Sequence, residues 1–93
     1  MVVGVCTFEL HLDGIHSLKA KRGVLKRLKA RIINKFNVSV AEVGSLDHRQ
    51  QAELGVALVA NDSRFVESCL GKIVDYVRLD RSASLVDYEL EVF

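Results

Sequence analysis

The feature that most constrains this chain is the order in which its hydrophobic period changes. Residues 2–12, VVGVCTFELHL, alternate. Cys6, Phe8, Leu10 and Leu12 fall on one face; Val3, Val5, Thr7, Glu9 and His11 fall on the other, the period-2 pattern of a half-buried strand. From Ser17 the period lengthens. Leu18, Leu25, Leu28, Ile32 and Phe36 form a stripe at helical spacing, and Ser17 stands where an N-cap is needed, so the pattern predicts a helix over 17–36. Alternation returns over about 38–44 and again in AELGVALVAN, where Leu54, Val56 and Leu58 face inward and Glu53, Gly55, Ala57 and Val59 outward. The polar SLDHRQQ between them reads as a hairpin connection. Asn61 or Asp62 then caps a second helix to about Leu79, with Phe65 or Val66, Cys69, Leu70, Ile73 and Val77 inward. The closing SLVDYELEVF predicts one face of Val86, Tyr88, Leu90 and Val92, and another of Leu85, Asp87, Glu89, Glu91 and Phe93.

Strand, helix, strand, strand, helix, strand, with right-handed crossovers and one buried sheet face, is the ferredoxin-like split βαβ. The expected class is α+β: a four-stranded antiparallel sheet with both helices on one face. At 93 residues the chain makes one domain, 1–93. No apolar run approaches the roughly 20 residues that span a bilayer, and no signal-peptide pattern opens the chain. A cytoplasmic protein without membrane contact is therefore expected. Cys6 and Cys69 sit among apolar residues at inward positions and read as small core hydrophobes. With no second Cys or His at ligand spacing, neither a disulfide, a metal nor a cofactor is expected.

The net charge of +1 conceals an uneven distribution. Residues 14–41 hold eight Lys/Arg and no acid, which leaves five basic and twelve acidic residues for the rest of the chain. A cationic helix on an anionic body follows. Placed N-terminally, Lys19, Lys21 and Arg22 oppose the helix dipole. Five like-charge pairs at three- or four-residue spacing cost roughly 0.2–0.5 kcal/mol each. Lys19, Arg22, Lys26 and Lys29 project onto one stripe beside the apolar face, with Arg27, Arg31 and Lys35 on the far side. Lys21 projects into the apolar sector and is expected either to mark an irregular helix start or to snorkel outward.

Two readings of the run stay open. In one, its charges pair with acids elsewhere in the fold or on another subunit; in the other, they hold a polyanion. On the second reading His16, Ser17, Lys19, Lys21, Arg22, Lys26 and Lys29 are the candidate nucleic-acid-binding residues. The open sheet face is not expected to stack bases, because the outward residues of the two central strands include no aromatic. Its small apolar centre (Val3, Val5, Ala57 and Val59) with an acidic rim suits protein contact, and a homodimer or another protein partner is expected there. His16-Ser17 and Asp47-His48 are the only pairs suggesting catalysis. Ser17 is explained as a cap, and no phosphate loop, HExxH or Cys cluster appears, so no catalytic residue is assigned and a non-enzymatic protein is expected.

The blocks HSLKAKRGVLKRLKARIINKFNVSVAEV and QAELGVALVAND resemble the YlxP-like family of small bacterial proteins, over nearly the whole chain. The resemblance implies the same ferredoxin-like fold. Members are often encoded beside translation-initiation and ribosome-maturation genes, near ribosome-binding factor A, which implies a partner in ribosomal RNA or the small ribosomal subunit. No catalytic residue carries over. The HSLKxKR block maps onto His16, Ser17, Leu18, Lys19, Lys21 and Arg22 and implies an anion site there. Relatives are expected to carry an aromatic in the hairpin loop near Arg49; this chain has none in SLDHRQQ. The expected function is thus a non-enzymatic RNA- or ribosome-associated protein that grips the phosphate backbone with its basic helix. The alternative is an interaction module whose basic helix meets an acidic sheet surface.

Overall fold

The computed structural model describes residues 1–93. Its elements are β1 (Val2–His11), α1 (Leu18–Lys35), β2 (Ser39–Gly44), β3 (Gln51–Ala60), α2 (Ser63–Arg78) and β4 (Ser84–Val92). The strands form one sheet in the order β2-β3-β1-β4, every neighbouring pair antiparallel. This is the ferredoxin-like α+β fold. α1 packs against β2, and α2 against β1, β3 and β4. Cys6, Phe8 and Leu10 pair with Val56, Leu54 and Ala52. All six lie under the helices, where they meet Leu25, Leu28 and Ile32 of α1 and Val66, Leu70, Ile73 and Val77 of α2. The opposite sheet face has no covering layer.

Both helices start on side-chain caps. Ser17 Oγ accepts the Ala20 N–H (3.1 Å) and Asp62 Oδ2 accepts the Phe65 N–H (3.3 Å), so Asp62 and not Asn61 is the second cap. Gly4 brings α2 down onto β1: a Cβ there would overlap Val66 Cγ1. On α2 the buried stripe runs through Val66, and Phe65 is exposed. Cys69 is only half-buried, short of the core position its neighbours suggest.

Two expectations about side-chain placement are corrected. In β4, Leu85 pairs with Leu10 but Asp87 already pairs with Glu9, so Val86 is the extra residue of a bulge. The extra residue switches faces, which is what a bulge does to alternation. Leu85 packs against the core, Val86 is exposed, and Asp87, Glu89 and Glu91 line the open face. The second correction is Lys21. Its side chain neither snorkels nor unwinds the helix; it is 1% exposed, inside the core layer beside Val24 and Leu25.

Candidate nucleic-acid interface

α1 carries eight cations, and the fold uses three of them. Lys21 Nζ donates to the Ser45 carbonyl (2.6 Å) and stands 2.9 Å from Glu42 Oε2. That oxygen is fully buried and accepts no hydrogen bond, so it has a compensating charge but no donor. The link ties the start of α1 to the β2–β3 hairpin, where Ser45 takes a left-handed φ of 55°. Lys21 therefore leaves the set of candidate phosphate ligands, because its ammonium is committed inside the protein.

Arg31 is the second. It pairs with Asp80 in the α2–β4 connection, joining segments 49 residues apart. Burial alone would raise the Asp80 pKa. The Ser82 hydroxyl and N–H and the Arg31 guanidinium outweigh that effect and hold the carboxyl below its ordinary value. Lys35, the third, lies 4.9 Å from the Tyr76 ring centroid in a cation–π contact.

The other five, Lys19, Arg22, Lys26, Arg27 and Lys29, have no acid within ion-pair distance. The ion pairs of the chain are Lys21–Glu42 and Arg31–Asp80, and His11 Nε2 lies 2.9 Å from Asp13 Oδ1. Lys19, Arg22, Lys26 and Arg27 are exposed and Lys29 half-buried. Arg31 and Lys35 face α2, so Lys19, Arg22, Lys26 and Lys29 occupy the flank turned away from it. Lys19 and Lys26 point almost straight away from the sheet, at about 100° per residue from the buried stripe. The first turn holds no acid. With Arg31 paired, three like-charge pairs remain unrelieved: Lys19–Arg22, Arg22–Lys26 and Lys26–Lys29. Together they cost roughly 0.6–1.5 kcal/mol.

The remaining candidates fall in two other places. Ser17 has its hydroxyl committed to the cap. His16 is exposed in a cleft lined with His48 and Arg49 of the β2–β3 loop, which the Leu12 N–H to Gln50 carbonyl bond (2.8 Å) draws alongside the β1–α1 loop. Sequence reasoning did not bring His48 and Arg49 to His16. The signal available was the equal length of β1 and β3, whose register sets His11 against Gln51 and so joins the two loops. Val3, Val5, Ala57 and Val59 do come together, as the cross-strand pairs Val3–Val59 and Val5–Ala57 of the open face. As for nucleophiles, burial pushes the Cys6 thiol up to about 12, which makes it inert.

The fold and the charged helix together define a ferredoxin-like α+β domain with one bare sheet face and a helix on which five cations have no partner in the chain. The family match gives that class its particular place. Residues 3–90 match the family described as "Protein of unknown function (DUF503)", and the chain belongs to that family. It is 36% identical over 76 residues to the "Uncharacterized protein YlxP" of Bacillus subtilis (strain 168), covering 82% of this chain and 83% of that one. No helix is long and apolar enough to cross a membrane.

Proposed function

We propose that this chain is a non-enzymatic, cytoplasmic RNA-associated protein that binds phosphate backbone through the five free cations of α1, with ribosomal RNA or the small ribosomal subunit as its target. One observation carries the reading: three of the eight α1 cations have a partner in the chain, Lys21 and Arg31 a carboxylate and Lys35 a ring face, and the five that remain have none. From Lys19 to Lys29 the helix rises about 15 Å. That length matches on the order of four charges at roughly 3.4 Å each along a stacked strand. Phosphate contacts of this kind give affinity without base readout, so binding is only weakly sequence-dependent. The acidic open sheet, on the other side of the molecule, orients the helix toward the polyanion.

The test is a titration of fluorescent ribosomal RNA fragments over a range of salt. Five contacts give a slope of log K against log salt of about −3.5 to −4.5. Changing Lys19, Arg22, Lys26 and Lys29 together to alanine leaves a slope of about −1 and abolishes binding at moderate salt. A wild type that fails to bind at low salt, or a quadruple variant with an unchanged slope, refutes the reading.

A further inference from the structure

The open sheet face is as unneutralised as the helix. Across β3, β1 and β4, Glu53, Glu9 and Asp87 stand directly opposite one another in one row. Glu89 and Glu91 continue the acidic column along β4, opposite Thr7 and Val5. None of these five carboxylates belongs to an ion pair. Like charges directly opposite across strands disfavour the sheet that holds them. Toward the other end the face turns apolar through Val5, Ala57, Val3 and Val59. There Phe93, 70% exposed, joins Val3 through two backbone hydrogen bonds.

The outer flank of α1 has the same two-part character with the opposite sign. After its cations come Ala30 and Ile33, both on the outward side; Ile33 is 49% exposed and has no role in the core. We infer that the open sheet of one molecule receives the α1 flank of a second copy, head to tail, cations on carboxylates and Ile33 on the Val3–Val59 end.

Charge and length both fit. Four free cations of the flank, Lys19, Arg22, Lys26 and Lys29, meet five free carboxylates. Asp87 to Glu91 extends about 14 Å along β4, and Lys19 to Lys29 about 15 Å along α1. A two-fold pairing of open faces would instead set acids against acids. Helix flank and open face lie on opposite sides of the sheet, so one pair of molecules cannot satisfy both surfaces at once. The contact is heterologous, and each copy leaves a free helix at one end and a free sheet at the other. One helix on one small sheet sits at the low end of specific interfaces, so the assembly is a short, salt-sensitive stack. The inference does not rest on RNA binding. Only its corollary does, that RNA on α1 dissolves the stacks.

Sedimentation velocity on the full chain tests it. At about 10 mM salt, where exposed charges act on one another over roughly 30 Å, the weight-average sedimentation coefficient rises with concentration; at about 1 M it falls to the monomer value. Glu89→Lys with Glu91→Lys, and separately Lys26→Glu with Lys29→Glu, each sediment as monomers, and mixing the two variants restores association. Lys26, Glu89 and Glu91 are exposed and Lys29 is half-buried, and circular dichroism confirms the folds. Ile33→Gln lowers association while leaving the salt slope of RNA binding unchanged, which separates this contact from the RNA reading. A wild type that stays monomeric at low salt, a discrete two-fold dimer, or variants that do not complement on mixing would overturn the inference, whatever the RNA titration gives.

Discussion

Lys21→Met tests the central structural correction, that one of the eight α1 cations belongs to the core. Methionine keeps the length and apolar stem of lysine while removing the ammonium. Left behind are a Glu42 carboxylate with one oxygen fully buried and a Ser45 carbonyl that has lost its 2.6 Å donor. Breaking a buried pair from one side costs about 3–5 kcal/mol. The Glu42 side chain is 21% exposed and can gain some water, which places this case near about 3 kcal/mol. A domain of this length has roughly 5–14 kcal/mol in total. The loss is therefore between a fifth and more than half of it. In urea, with a slope of about 1–3 kcal/mol/M, the midpoint falls by about 1–3 M. The thermal midpoint falls by about 12–24 °C. The double variant Lys21→Met with Glu42→Leu separates charge from packing. Replacing both partners of a buried pair by apolar groups is often neutral or stabilising, so the double variant recovers most of the loss. A single variant that loses under about 1 kcal/mol, or a double variant no more stable than the single, refutes the pairing.

Neighbouring positions on the same helix respond with the opposite sign. Lys26→Gln, equal in helix propensity, removes two like-charge pairs and raises stability by about 0.4–1 kcal/mol at low salt, a gain that high salt erases in paired urea titrations. Asp80→Asn destabilises the protein at neutral pH. The folded pKa of Asp80 is depressed, so its contribution is present above its unfolded value near 3.8 and is lost as pH falls through the folded value; the gap between wild type and variant closes below about pH 3.8 in acid denaturation curves. Gly4→Ala drives a Cβ into Val66 and lowers stability by about 1–3 kcal/mol, seen as a fall in urea midpoint at constant slope.

The fold was legible because burial itself sets the two periods. Cys6, Phe8 and Leu10 alternate because one face of β1 lies under α2. Leu25, Leu28 and Ile32 recur at helical spacing because α1 rests on the sheet. What periodicity cannot show is where the register slips. The doublet Leu85-Val86 is the only trace of the β4 bulge, and either residue fits the alternation. Nor does it show a contact such as Arg31–Asp80, whose partners are 49 residues apart and set together only by the docking of both helices.

Lys21 was legible in part, and its case bears on the interface. A lysine in the apolar sector of α1 looks like an exception to be excused by snorkelling. Glu42 stands at the same parity as Val40, on the face of β2 that looks toward α1, and is an equal exception. Two opposite charges on the core side of elements adjacent in the fold are a pair, and each was visible alone in the sequence. Recognising the pair changes what the charge run can do. An eight-cation helix would predict a salt slope near −6 to −7, whereas the five that remain predict about −3.5 to −4.5. Among the eight, the partnered and the free cations both include Lys and Arg and share one helix. What divides them is whether a carboxylate or ring of the same chain lies within reach.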